Sequence, residues 1–194
     1  MEPLEIAKLV KEKYPDQVLE IKIHRGQVSI LLKKDKILDI CKWLHKAPDL
    51  DFKHLADLCG VDYFGKKDVR FEVVYNLYSI TKRHAIRLRV QVPEEDCTID
   101  SVTSIWIGAD WHERECFDLF GIEFKGHPNL KRILLPEGWE GFPLRKDYPL
   151  DGGGKNWSGY DEIVEKSKEL RKFDFYGSYE DPTKKTESVN DAAE

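Results

Sequence analysis

The chain has 194 residues, 41% hydrophobic and 35% charged, with a formal net charge of -5. That length predicts one domain of roughly 150 residues plus a tail. The acidic balance argues against a general binder of nucleic acid or anionic membranes, because phosphate recognition needs a net basic face.

No apolar run approaches the roughly 20 residues that span a bilayer. The N-terminus, Met1-Glu2-Pro3-Leu4-Glu5, carries acid where a signal peptide is basic and then apolar. The expectation is a cytoplasmic chain that meets a membrane only through a partner. Cys41, Cys59, Cys97 and Cys116 are scattered, with no Cys-x-x-Cys pair for a metal or redox motif. Scattered, mostly buried free thiols are the expected outcome.

Residues 4–14 place Ile6, Leu9, Val10 and Tyr14 on one helical face, and Pro15 ends that helix. The period then changes to two. Leu19, Ile21 and Ile23 alternate with polar residues, and after Arg25-Gly26 so do Val28, Ile30 and Leu32. This predicts a hairpin closed by a tight turn. Asp35 is a candidate cap for a second helix that buries Ile37, Ile40, Cys41 and Leu44. A weaker strand pattern lies within 52–63, where Gly60 marks a bulge or an early end. Phe71, Val73, Tyr75 and Leu77, then Ile86, Leu88, Val90 and Val92, mark two strands joined by a short polar connection. An antiparallel pair with one packed and one polar face is expected.

Residues 100–120 return to a helical pattern. Asp100 is a candidate cap for a short first piece, and Gly108-Ala109 interrupts it. Asp110 with Glu113 resembles a capping box for the second piece, and Gly121 is a natural stop. Between 121 and 160, eight glycines and four prolines break any period. Apolar anchors such as Phe124, Ile133, Trp139, Phe142 and Tyr148 nevertheless recur there, which suggests an arm that packs on another surface. The expected fold class is therefore α+β. A mainly antiparallel or mixed sheet with helices packed on it fills 1–121, and an extended irregular partner-binding arm follows over 122–160. A short helical or irregular segment is expected at 161–176 and a mobile charged tail at 177–194.

Polar residues are densest at Trp111-His112-Glu113-Arg114-Glu115-Cys116-Phe117-Asp118. On a helix, Glu115 and Asp118 share a face and Arg114 can pair with Asp118. Such a pair of carboxylates can do acid–base work or bind a metal. His112 and Cys116 supply only half of a zinc ligand set. The same residues also fit ion pairing within the fold or across an interface, which the flanking aromatics favour. Farther on, Arg145 and Lys146 between apolar anchors suit a phosphate or a partner carboxylate, with partner contact preferred over a local Arg145–Asp147 pair. The run Gly152-Gly153-Gly154-Lys155 does not form a phosphate loop, since no Ser or Thr follows the Lys and no helix opens there. His24, His45, His54, His84 and His127 are isolated.

Three stretches are words of a known family. Glu113-Arg114-Glu115-Cys116-Phe117-Asp118-Leu119-Phe120-Gly121 resembles the signature of the complex I thirty-kilodalton subunits. The segments Phe124 to Pro136, which contains Arg132, and Trp139 to Leu150, which contains Arg145-Lys146-Asp147-Tyr148, are similar to that family in type, order and spacing. One departure stands out: bacterial members commonly carry His where this chain has Phe142.

The resemblance implies an α+β subunit of the peripheral arm of an NADH:quinone oxidoreductase. It implies no cofactor in this chain, with FMN and Fe–S clusters held by partner subunits. Its arm would lie along the forty-nine-kilodalton, quinone-site subunit, near the Fe–S subunits, on the cytoplasmic side of the inner membrane. The resemblance marks Glu113, Arg114, Glu115, Asp118, Phe120, Gly121, Arg132, Trp139, Arg145, Lys146, Asp147 and Tyr148 as signature or interface residues. Enzyme activity would belong to the assembly, which moves electrons from NADH to quinone with proton translocation. One alternative is a same-family subunit of a membrane-bound hydrogenase or of a ferredoxin- or deazaflavin-fed oxidoreductase. A second is a stand-alone enzyme using Glu115, Asp118 and His112.

Overall fold

The computed structural model describes residues 1–150 and 159–170. Two units divide the chain, Met1–Gly154 and Lys155–Glu194. Residues 122–154 thus fall in the same unit as residues 1–121.

The first unit runs α1 (Pro3–Lys13), β1 (Val18–His24), β2 (Gln27–Leu32), α2 (Ile37–Lys46), β3 (His54–Asp62), β4 (Phe71–Ser79), β5 (His84–Val92), β6 (Thr98–Asp100), α3 (Ala109–Phe120) and β7 (Glu123–Lys125). Five strands form a mixed sheet in the order β1-β2-β5-β4-β3, in which only β2 and β5 run parallel. In the second unit, α4 (Tyr160–Leu170) carries the ion pairs Lys166–Glu162 and Lys168–Glu165 on its surface. The glycine run at 152–154 and the charged tail at 177–194 lie outside the described residues.

Alternation in sequence becomes one buried face. Val28, Ile30 and Leu32 of β2 join Ile86, Leu88, Val90 and Val92 of β5 and Phe71, Val73, Tyr75 and Leu77 of β4 in the core. Ile6, Ala7 and Val10 of α1, and Ile37, Ile40, Cys41 and Leu44 of α2, pack into the same cluster. On the other face, Glu72 bridges Arg89 and Lys67, and Asn76 accepts from Arg87 while donating to Asp57. The α+β class with a mixed sheet is the observed one.

Several local expectations change. Leu9 is exposed, because Ile6, Ala7 and Val10 centre the buried face of α1 and leave Leu9 at its margin. Leu19 and Ile23 are exposed because β1 is the edge strand. Asp35 does not cap α2. A turn from Lys34 O to the Ile37 N–H moves the cap position to Lys36. The bulge in β3 falls at Leu55–Asp57, while Gly60 stays paired with Val73. Gly60 is small because a Cβ there would meet the Phe120 ring at 2.7 Å. Asp100 belongs to a strand, not a helix: Ile99 of β6 pairs with Phe124 of β7, and both are buried. No sequence period announces three-residue strands paired across the whole of α3.

The hairpin turn places Arg25 at φ 50° and Gly26 at φ 76°, the left-handed pair of a type I′ turn. Gly121 is constrained more tightly. It ends α3 at φ 74°, and a Cβ there would lie 2.6 Å from the Phe142 ring and 2.8 Å from the Arg145 guanidinium. Gly26 has the same backbone conformation in open space. Gly26→Ala should therefore cost only the left-handed strain, about 1–2 kcal/mol. Gly121→Ala should cost clearly more, because it also displaces the arm from the helix end. Thermal unfolding of the two variants checks this; equal melting temperatures would show that the arm yields freely.

Candidate functional site

Helix α3 divides its residues by direction. Glu113 and Cys116 face the core, Asp118 faces the arm, and Trp111 and Glu115 face outward. Phe120 covers Gly60 of β3, and Gly121 closes the helix with its N–H on Phe117 O.

Asp118 is fully buried. Its Oδ2 accepts the backbone N–H groups of Ile133, Leu134 and Leu135 at 3.0, 2.8 and 2.9 Å. Its Oδ1 accepts from Arg132 at 2.8 Å. Burial alone would raise this carboxyl, but the three amides and Arg132 outweigh it and hold it below the ordinary aspartate value. Arg132 also donates to Trp139 O at 3.1 Å, and Arg114 donates to the carbonyls of Lys131 and Arg132, each at 3.0 Å.

The arm then returns to the helix end. The Leu144 N–H reaches Leu119 O at 3.1 Å, and Arg145 donates to Phe120 O at 2.7 Å. Two carbonyls that a helix C-terminus leaves unpaired are thereby satisfied. The Arg145 guanidinium also lies 4.6 Å from the Phe142 ring and 5.1 Å from the Phe71 ring. Phe142 thus acts through its ring face, which two arginines approach. Tyr148 donates to Glu140 O at 3.4 Å.

A second anchor holds the far end. Arg70 is buried and pairs with both oxygens of Asp62, and it also bonds Glu94 and Asp147. The Lys146 N–H donates to Asp62 Oδ2 at 2.8 Å. Hydrogen bonds donated to Asp62 and Asp147 raise the Arg70 pKa, and Arg70 in turn lowers that of Asp147. Nothing in the sequence singles out Asp62, Arg70 and Glu94. They lie at or beside separate strand ends and carry no motif, so only the β3–β4 and β4–β5 registers join them.

For Glu113 and Asp118 the sequence leaves open pairing within the fold or across an interface. Both are buried within the chain, and Arg132, Arg145 and Asp147 are also bonded internally. Asp110 and Glu113 form no capping box, since α3 is entered from Gly108 without a side-chain cap and Glu113 Oε1 accepts the Val102 N–H at 2.7 Å. The three residues of a stand-alone catalytic site do not converge. Asp118 is saturated by the arm, Glu115 points outward, and His112 Nδ1 lies 3.8 Å from Asp57. Among the described residues no three His, Cys, Asp or Glu side chains are placed to hold a metal ion.

Removing Asp118 leaves three amides and Arg132 without their acceptor. Asp118→Ala should destabilise the chain by more than about 3 kcal/mol, read from the urea midpoint. Because its folded pKa is depressed, its contribution is full above the unfolded value of about 3.9 and fades as pH falls through the folded one. Wild type should lose more stability below about pH 4 than Asp118→Asn does. Parallel acid curves would show that the carboxylate charge is not what holds the arm.

A model of the family described as respiratory-chain NADH dehydrogenase, 30 Kd subunit, matches residues 30–153. Over 143 residues the chain is 46% identical to the C subunit of NADH-quinone oxidoreductase from Geobacter sulfurreducens, covering 74% of this chain and 87% of the relative. Similarity to the protein of the same name from Hyphomonas neptunium is 39% over 187 residues, covering 92% and 91%. Among solved structures, the trypsin-resistant fragment (1-134) of Nqo5 superposes with a TM-score of 0.59 at 32% identity, over 67% of this chain and 100% of that one. A chain of an archaeal membrane-bound sulfane sulfur reductase shares the fold, with a TM-score of 0.62 at 23% identity over 94% of this chain and 98% of that one. The chain belongs to the 30 kDa subunit family of respiratory-chain NADH dehydrogenases.

Proposed function

We propose that this chain is a structural subunit of the peripheral arm of an NADH:quinone oxidoreductase. It docks on the forty-nine-kilodalton, quinone-site subunit beside the Fe–S subunits. Electrons pass from NADH through FMN and Fe–S centres in those partners to quinone, with proton translocation carried out by the whole assembly. The chain itself binds no cofactor and sits on the cytoplasmic side of the inner membrane, held there by its partners. None of the described helices is long and apolar enough to cross a membrane. The shared name of the relatives favours this machine over a hydrogenase or a ferredoxin- or deazaflavin-fed enzyme.

The observation that carries the docking reading is the outward side of α3. Ile107 is 89% exposed and Trp111, four residues on, is 64% exposed. Arg114 lies against the Trp111 ring at 5.6 Å while its nitrogens bond the arm backbone. Leu134, Leu144 and Leu150 of the arm are exposed as well. Large apolar groups and an oriented Arg–Trp pair are what a protein interface uses, and the exposed apolar groups contribute little to the isolated fold while solvated.

Two results are expected. Trp111→Ala should weaken association with the quinone-site subunit by about 30-fold or more, the scale of an aromatic hot spot, with the melting temperature of the lone chain unchanged. Binding titration against that purified partner reads this, and unchanged affinity would remove α3 from the docking surface. The purified chain should also carry neither iron nor flavin. Metal analysis and absorbance check this, and one metal or flavin per chain would assign it a redox role of its own.

A further inference from the structure

Glu113 has an unusual set of neighbours. Its carboxyl is fully buried, with Oε1 on the Val102 N–H and the Ser101 hydroxyl adding a second donor. Oε2 is enclosed without a protein hydrogen-bond partner, and so is the Tyr75 hydroxyl. The ionisable groups that interact with this pair are Asp110 and Cys116 of α3, Cys41 of α2, and Asp100 of β6. All are acids. His127 is engaged by Asp110, 3.1 Å from its Oδ1. No lysine, arginine or histidine is among the groups acting on the Glu113 carboxyl. An ionised carboxylate here would be a buried charge with no counterion, a state folded proteins avoid by pairing or by neutralisation.

We infer that Glu113 is a resident proton site, a neutral carboxylic acid enclosed in the core with Oε2 unpartnered, and that loss of its proton opens the joint between α3 and residues 101–107. In the neutral form the carboxyl oxygen Oε1 accepts from Val102 and the proton rides on Oε2. In the ionised form the charge is stabilised only when water reaches it. The core residues of α2 and β4 stand on regular elements, whereas residues 101–107 are irregular backbone whose Val102 and Trp106 reach into the same core, with the Trp106 indole on Phe52 O at 3.2 Å. That run is the part that yields. Burial, reinforced by Asp110, pushes the Glu113 carboxyl up to about 7, against the pull of the Val102 and Ser101 donors. The transition therefore falls in the neutral range. On the docking reading above, the same joint sets the spacing of Ile107 and Trp111. The experiment uses the lone chain and succeeds or fails independently of that reading.

The full chain, labelled with carbon-13 at the glutamate carboxyls, is titrated by NMR. The Glu113 resonance, assigned by its disappearance in Glu113→Gln, should titrate near neutrality, far above the ordinary glutamate value of about 4.3. Amide exchange at Val102, corrected for its intrinsic rate, should lose protection between about pH 6 and about pH 8 in wild type and keep it in Glu113→Gln. A folded pKa raised above the unfolded one leaves stability intact below the unfolded value and drains it as pH rises through the folded value, so Glu113→Gln should gain on wild type in alkali. Should Glu113→Gln not fold, the wild-type chain gives the second reading: one glutamate carboxyl resonance should titrate near neutrality, and Val102 exchange should rise with the same midpoint. A wild-type chain in which every glutamate titrates together near about 4.3, a Val102 protection profile equal in wild type and Glu113→Gln, or a Val102 profile flat through the carboxyl midpoint would each overturn the proposal.

Discussion

The carboxylate of Asp118 sits near the C-terminal end of α3, where the helix dipole disfavours a negative charge. It is nevertheless fully buried and ionised, because four donors from residues 132–135 converge on it. Those donors could not be satisfied otherwise. Residues 131–135 form neither helix nor strand, so their amides have no ladder to join. One side chain on a rigid helix thus supplies the acceptor that a stretch of irregular backbone lacks. The position of the arm follows from that exchange.

With the arm fixed at Asp118, the chain must come back across the helix end. Leu144 and Arg145 cap the last carbonyls of α3, and Asp147 closes on Arg70 at the edge of the sheet. The glycine at 121 is needed because Phe142 and Arg145 pass where a Cβ would stand. Arg132, Arg145 and Asp147 of the arm therefore bond its own domain, and several of its leucines are left in solvent. A segment that pairs its charges with its own domain and presents apolar side chains outward has the chemistry of a contact surface. Its shape is set before a partner arrives, so little ordering entropy is lost on docking.

Legibility in the sequence followed periodicity. The core faces of β2, β4, β5 and α2 stand where alternation or helical spacing put them, because each element buries a regular stripe. Errors fell where tertiary partners decide. Leu19 and Ile23 alternate correctly but lie on an edge strand. Asp100 looked like a cap because its strand partner stands beyond α3. At the site, the sequence marks Asp118, Arg132, Arg145 and Asp147, but not the groups inside the chain that hold them. A charge reads as surface-directed unless its mate is visible, and here the mates are backbone amides or residues such as Arg70, 77 positions away from Asp147. The surroundings of Glu113 are hidden for the same reason, since nothing in its neighbours' types reveals that Val102 turns back onto it.

Buried carboxylates in this chain are stabilised in different ways, and the difference explains which of them can respond to pH near neutrality. Glu72 and Asp62 are held by arginines, which stay charged at every physiological pH. Asp118 is held mainly by backbone amides, which do not titrate at all. In each case burial opposes the charge and the donors win, so the group stays ionised until strong acid. Glu113 lies deeper, with one amide, one hydroxyl and no cation, and there burial wins. Its Asp110 neighbour adds repulsion, whereas the principal groups acting on Asp118 are all hydrogen-bond donors. The two residues lie five positions apart on one helix, facing different surroundings. That contrast makes the arm side of α3 indifferent to neutral pH and leaves the core side as the place where a proton can be exchanged.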